Sequence, residues 1–310
     1  MSRLLSSVLI FCFIILICPV NQAQTLQRNP NDLPLGFPEI KVEKSIDPLP
    51  GYFFITPLKS ANHYIIILDN FGNPIFYKDA PWSAHDFKLQ PNGQLTYFDV
   101  KERCFFALDS MYRVVDTFRC GNEYAGMTDM HELRITPDGH AFLMAYDPQI
   151  VGMDTVVPGG HPKATVIGLI VQEIDKNKDV IFEWKSWDHY KITQTADWVN
   201  LTDSIIDYVH GNSIEIDSDT SLLISSRNFN EITKIDRRTG DIIWRFGGKM
   251  NQFKFINDPI GFNVQHSIRL MPDSMNISIF DNGGGHSPVP FSSAIEYSID
   301  EINMTATLVN

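Results

Sequence analysis

The sequence repeats a unit of two β-hairpins, and this repeat limits the fold more than any other feature. One hairpin joins two apolar strands through a turn that contains Asp or Asn. Its copies occupy residues 64–77, 105–118, 171–184 and 232–244, with a degenerate copy at residues 294–300. Alternating runs of Val, Ile, Phe and Tyr bounded by polar turns are typical of strands. The chain is therefore predicted to be all-β.

The other hairpin of the unit begins with a histidine. His85, His131, His210 and His266 each precede an alternating strand, a polar turn and a second apolar strand. These histidines are 46, 79 and 56 residues apart, and a β-propeller blade often takes about 40–50 residues. We predict a β-propeller of four-stranded blades with long loops between some of them. A twisted β-sandwich is the alternative, but it does not explain the repeated histidine.

The ends of the repeat suggest the domain boundaries. Residues 1–23 combine one arginine, an apolar run and a small residue for cleavage, the layout of a secretory signal peptide. The protein is thus expected to be secreted or periplasmic, with no membrane span once the signal is removed. Residues 24–51 form an N-terminal extension, and residues 52–310 form the propeller. We count four blades and the start of a fifth at residues 294–300, so we expect a propeller that is incomplete at its C-terminus.

Charge and cysteine content restrict partners and cross-links. The net charge of −12 argues against nucleic acid, which needs a basic surface. An anionic substrate would need a local group of hydrogen-bond donors to overcome this charge. Cys104 and Cys120 flank a predicted hairpin, and in an oxidising compartment they form a disulfide or remain two separate small apolar side chains.

The repeated histidines point to a functional site. Equivalent positions of successive blades lie on one ring around a propeller axis, so these histidines are expected to converge at one mouth of the channel. Arg227 follows His210 by 17 residues, one strand out and one strand back, and should face the same cavity. Its guanidinium suits bidentate binding of a tetrahedral oxyanion. Histidines that only bond a neighbouring blade, and an arginine in a rim ion pair, are the structural alternatives.

Several of these segments resemble the arylsulfotransferase family. The resemblance covers roughly residues 50–310 and is most specific between His210 and Gly283. It rests on residues 50–57, 68–72, 209–213, 225–228, 234–248, 265–266 and 280–283.

The resemblance implies an exported β-propeller that moves a sulfuryl group from an aryl sulfate to a phenolic acceptor, with no nucleotide donor and no cofactor. It implies His266 as the transiently sulfated nucleophile, and His210 and Arg227 as the sulfate-binding pair. His131 corresponds to a further histidine of that site, whereas His85 has no assigned role. With water as the acceptor, the same site would act as a sulfatase.

Two other functions are compatible with these residues. Converging histidines could bind Zn²⁺ or Cu²⁺, although Arg227 opposes a cation, and the loop at residues 283–286 could bind Ca²⁺. The third hypothesis is a propeller without catalytic activity that binds an extracellular ligand or partner, or a truncated remnant of the enzyme. A covalent intermediate on His266 would separate the enzyme from the binding protein.

Overall fold

The computed structural model describes residues 33–80, 82–217, 221–272, 276–285 and 291–309. Within them the chain forms five mainly antiparallel sheets that follow one another in sequence order, as the blades of a β-propeller do. The predicted all-β propeller of about four to five blades is therefore confirmed. The proposed signal peptide at residues 1–23 and residue His286 of the Gly-rich loop lie outside the described residues. In the described part of the chain, no helix has the length and apolarity needed to cross a membrane.

The first two sheets come from the N-terminal third of the chain. The first sheet has three strands, β1 (Phe53–Ile55), β2 (Tyr64–Leu68) and β3 (Pro74–Asp79). The second has four, β4 (Ala84–Leu89), β5 (Leu95–Asp99), β6 (Cys104–Leu108) and β7 (Val114–Phe118). The extension before β1 packs on the first sheet, because the Phe37 ring lies 5.1 Å from the rings of Tyr64 and Tyr77.

The third and fourth sheets form the middle of the chain. The third contains β8 (Thr128–Ile135), β9 (Ala141–Val151), β10 (Ala164–Ile174) and β11 (Val180–Lys185), and β12 (Ile205–Asp207) pairs in parallel with β10. The helix α1 (Ser186–His189) lies between β11 and β12. The fourth sheet contains β13 (Gly211–Ile216), β14 (Ser221–Ser226), β15 (Glu231–Asp236) and β16 (Ile242–Gly247).

The last sheet shows that the histidine hairpin, and not the other hairpin of the repeat, comes first in a blade. It contains β18 (His266–Leu270), β19 (Asn276–Asp281), β20 (Ser293–Asp300) and β21 (Thr305–Leu308), and β17 (Lys254–Ile256) pairs in parallel with β21. Residues 294–300 therefore do not open a fifth blade, as the sequence suggested. They form the third strand of the sheet that His266 opens, because each histidine hairpin pairs with the hairpin that follows it.

The first strands of the sheets lie next to one another. β4 contacts β8, β8 contacts β13, and β13 contacts β18, so these four strands form the inner layer. Large apolar side chains fill the spaces between sheets, for example Phe142, Trp184 and Phe246. This arrangement brings the starts of the inner strands, and with them the repeated histidines, to the same side of the molecule.

A buried ionic network crosses the inner strands below the histidines. Glu132 on β8 is fully buried and accepts hydrogen bonds from Lys88 on β4 and, at 2.9 Å, from Arg269 on β18. It also accepts from the Ile214 backbone N–H on β13 at 3.3 Å. One carboxylate thus links all four inner strands.

Replacing Glu132 by glutamine should destabilise the fold by about 3 kcal/mol, because Lys88 and Arg269 would lose the one carboxylate that they share and keep only Asp86 and Glu215 as partners. Urea unfolding measures this change. Glu123→Gln, at an exposed position, is the control and should change stability by less than about 0.5 kcal/mol. Equal stability of the two variants would show that the network does not hold the inner strands together.

The two cysteines of the described chain are not bonded to each other. Both are buried, and the Cys120 thiol donates to the Met144 carbonyl of the next sheet at 3.3 Å. The disulfide alternative is therefore wrong, because the Cys120 side chain is directed into the contact between sheets. The other alternative is confirmed: both cysteines act as small apolar residues.

Candidate active site

A β-bulge occurs at the start of every strand that contains or directly follows a repeated histidine. The register shifts lie between His85 and Lys88, Thr128 and Leu133, Gly211 and Ser213, and His266 and Arg269. Three residues at these bulges have left-handed backbone conformations, with φ of 48° at Asp86, 52° at His210 and 57° at Ser267. A bulge bends the strand and changes the direction of a side chain, and bulges are common near active sites.

Three of the four histidines meet in space. The ring centroids of His131 and His210 are 5.1 Å apart, and the His266 ring lies 6.0 and 6.3 Å from them. One nitrogen of each ring lies within 4.8 Å of the others. These histidines come from three different sheets, so only the packing of the sheets produces this group.

His131 and His210 each have a carboxylate partner. Asp129 Oδ1 accepts from His131 Nδ1 at 2.8 Å, and Asp207 Oδ2 accepts from His210 Nδ1 at 2.6 Å. A proton on Nδ1 leaves Nε2 of each ring available to the site. Burial alone would lower the pKa of His131, but its hydrogen bond to Asp129 and the charges of Asp129, Asp86 and Asp207 raise it above the ordinary value. His131 is thus suited to hold and release a proton near neutral pH.

His266 has a different environment and a different charge state. Burial, together with the nearby His131, His210 and Arg227, lowers the pKa of His266 to about 4, although the Val264 carbonyl opposes this shift. Nδ1 lies 3.1 Å from the Val264 carbonyl oxygen, to which Asn282 Nδ2 also donates at 2.8 Å.

The contacts of His266 Nδ1 fit two tautomers. With the proton on Nδ1, this nitrogen and Asn282 Nδ2 both donate to the Val264 carbonyl, and the neutral ring keeps a free lone pair on Nε2. With the proton on Nε2, Nδ1 accepts from Asn282 Nδ2, which lies 2.9 Å away. Val264 is β-branched and has a φ of 57°, a strained conformation of the kind found at functional sites.

Arg227 lies beside this group. Its backbone N–H donates to the His210 carbonyl at 2.9 Å, and its guanidinium donates to Asn228 Oδ1 at 2.8 Å. The guanidinium carbon lies 4.9 Å from the centroid of the Trp198 ring. The main-chain bond to His210 connects the return strand β14 to the start of β13, so Arg227 and His210 lie at the same end of their hairpin.

The structure separates His85 from the other repeated histidines. His85 is close enough to His131 for the charge of His131 to lower its pKa, after the larger effect of burial. It does not belong to the group of three nitrogens within 4.8 Å.

The sequence analysis did not identify Asp129, Asp207, Asn282 or Trp198 as site residues. Asp129 and Asp207 stand two and three residues before a repeated histidine, and this spacing was the available signal.

The group of three histidines has the donor atoms for a divalent cation. Two of the rings also have carboxylate partners, as metal-binding histidines usually do. However, Arg227 adds a fixed positive charge that lowers the pKa of His266, and such a charge opposes a cation. A tetrahedral oxyanion fits this charge distribution better, because the Arg227 guanidinium can donate to its oxygens.

Comparisons with solved structures give remote similarities of fold. A protein of unknown function from Bacteroides caccae is 12% identical, with 80% of this chain and 95% of that chain covered and a TM-score of 0.39. A virginiamycin B lyase from Staphylococcus aureus is 12% identical, with 84% and 70% covered and a TM-score of 0.43. A β-propeller domain from Myceliophteria thermophila is 10% identical, with 70% and 59% covered and a TM-score of 0.36. These similarities concern the fold and do not indicate an activity for this chain.

Comparison by sequence is more specific. A search of curated proteins gives no match. The family model described as Arylsulfotransferase (ASST) matches residues 92–310, which include the three inner strands β8, β13 and β18 and all of His131, His210, Arg227 and His266. The match covers more than half of the chain, and it agrees with the family that the sequence motifs resemble. The chain therefore belongs to the arylsulfotransferase family.

Proposed function

We propose that this protein transfers a sulfuryl group from an aryl sulfate to a phenolic acceptor through a sulfohistidine on His266. The main support is the environment of His266, a neutral imidazole that has a free Nε2 in its Nδ1–H tautomer and that lies beside Arg227 and two carboxylate-bound histidines. Family membership agrees with this reaction. No nucleotide donor or cofactor takes part.

In the first step, the Nε2 lone pair of His266 attacks sulfur. The S–Nε2 bond forms as the bond between sulfur and the aryl oxygen breaks, and His131 gives its proton to the departing phenolate. Arg227 and His210, the latter with a proton on both ring nitrogens, hold the sulfuryl oxygens and stabilise the charge that is spread over them in the transition state.

In the second step, the acceptor hydroxyl attacks the sulfur of sulfohistidine. Its proton passes to His131, the S–Nε2 bond breaks, and neutral His266 is regenerated. Asp129 keeps the His131 proton on Nδ1, so that Nε2 gives up and takes back the proton that is transferred. Water in place of the phenol would release sulfate.

The test is detection of the covalent intermediate. The purified protein is mixed with a chromogenic aryl sulfate, quenched rapidly and analysed by intact mass and peptide mapping. A sulfuryl adduct on the peptide that contains His266 is the expected result. A folded protein that forms no adduct and releases no phenol would contradict the proposal and favour a ligand-binding propeller. Unchanged activity after EDTA treatment would separate the reaction from metal-dependent hydrolysis.

The pH dependence of adduct formation should follow the two shifted histidines. His266 must be neutral to attack, and its pKa is lowered to about 4, so the rate should rise with pH through about 4. His131 must be protonated to assist the leaving group, and its pKa is raised, so the rate should fall as pH passes above 6.5, its ordinary value. Single-turnover rates with phenyl sulfate, whose phenolate is a poor leaving group, measure both the acid and the alkaline limb of the pH profile.

Asp129→Asn is the matched variant for this profile. It removes the charge that raises the pKa of His131, so the alkaline limb should move to lower pH while the acid limb stays in place. An identical profile in the variant would show that His131 is not the proton donor.

We also propose that the protein is exported through residues 1–23. The acceptor and donor would then be extracellular or periplasmic aryl compounds.

A further inference from the structure

A half-exposed tryptophan lies beside the arginine of the candidate active site. Trp198 is 47% exposed, and its ring centroid is 4.9 Å from the guanidinium carbon of Arg227. It belongs to the segment between β11 and β12, which leaves and re-enters the third sheet at the end where the histidines lie. A large aromatic surface is therefore available next to the cation that would hold the sulfuryl group.

The segment that carries Trp198 is attached to the turn that carries Arg227. Thr195 Oγ1 and the Ala196 backbone N–H both donate to the Asn228 carbonyl, at 2.8 and 2.7 Å. Asn228 Nδ2 in turn donates to the Asp207 carbonyl at 2.6 Å. Thr195 and Ala196 are buried, so the backbone two residues before Trp198 is tied to the residue that follows Arg227.

Not every tryptophan of this chain is placed in this way. Trp184 is 1% exposed, and its indole N–H donates to the Gly240 carbonyl at 3.1 Å, so it is part of the core. Contact with the Arg227 guanidinium accounts for part of the Trp198 surface. The exposed remainder of the indole has no such structural role, and an apolar ring beside a charged site suits an apolar group of the substrate.

We propose that Trp198 contacts the aryl group of the sulfate ester and makes the site selective for aryl over alkyl esters. This inference rests on the proposed function. When Arg227 holds the sulfuryl oxygens, the first ring carbon is only two bonds from sulfur, through the ester oxygen, so the aryl ring lies in the region next to the guanidinium. Aromatic rings favour offset or edge-to-face contacts at centroid distances of about 4.5–7 Å, which the Trp198 indole can offer.

The experiment measures binding without transfer. Naphthalene-2-sulfonate has a carbon–sulfur bond in place of the ester and cannot transfer its sulfuryl group, and butane-1-sulfonate is the alkyl probe. Calorimetry gives the dissociation constant of each probe for the full chain and for Trp198→Ala and Trp198→Phe. We expect Trp198→Ala to raise the dissociation constant of the aryl probe roughly 10-fold and to change that of the alkyl probe little. Trp198→Phe should retain most of the aryl affinity.

The matched control is Trp82→Ala, at a tryptophan that is 57% exposed and lies 4.8 Å from Lys101 Nζ; it should bind both probes as the wild type does. Equal weakening of both probes by Trp198→Ala would show that the indole only positions Arg227, and unchanged binding would show no contact; either result overturns the proposal. Wild-type protein that binds the aryl probe but forms no sulfohistidine would contradict the proposed transfer and still support the aryl contact.

Discussion

Replacing His266 by asparagine should abolish the sulfuryl adduct and lower the rate of aryl sulfate turnover by about 10⁴- to 10⁶-fold, the range seen when a covalent nucleophile is removed. The lost group is the free Nε2 lone pair. Its neighbours Val264 and Asn282 hold the ring through Nδ1, and they remain in the variant. Rapid-quench mass spectrometry and release of a chromogenic phenol measure the two effects.

His85→Asn is the control for this prediction. His85 occupies the same position of the repeat and, like His266, directly precedes a β-bulge, but it lies outside the group of three histidines. It should form the adduct at close to the wild-type rate. If both variants lose activity equally, the loss comes from disturbance of the bulged strands that carry the two histidines and not from removal of a nucleophile. An adduct that persists in His266→Asn would assign the nucleophile to another residue.

Replacing Arg227 by alanine should lower kcat/KM for aryl sulfates by about 10²- to 10³-fold, the usual effect of removing one preorganised donor of the transition state. In the proposed mechanism the guanidinium supplies charge and a planar pair of donors to the sulfuryl oxygens. The backbone N–H of residue 227 would still donate to the His210 carbonyl, so the hairpin should keep its shape. Steady-state kinetics and thermal unfolding, measured together, separate a catalytic loss from a structural one.

Arg227→Lys tests the geometry of that interaction. Lysine keeps the charge but loses the planar fork, so this variant should recover only part of the lost activity. Full recovery would indicate that only charge matters at this position. If the Arg227→Ala variant and the wild type had equal kcat/KM, Arg227 would have no part in the proposed mechanism.

The sequence predicted the fold class because the repeat is local. Alternating apolar runs and polar turns determine each hairpin from its own residues, and the recurrence of His131, His210 and His266 at one position indicated a shared rim. The prediction that residues 294–300 open a fifth blade was wrong, because a hairpin can pair with the hairpin before it or the hairpin after it. Local pattern does not choose between them, whereas packing of the inner strands β4, β8, β13 and β18 does.

The sequence by itself determined that this chain is built from repeated hairpins, that histidines open them, and which family it belongs to. Tertiary structure alone decided which histidines meet and what each can do. His85 and His266 occupy the same position of the repeat, yet only His266 joins the group. Asp129, Asp207 and Trp198 acquire their roles from contacts with other residues. The physical reason is that the pKa values of the imidazoles depend on burial and on charges brought together from separate sheets.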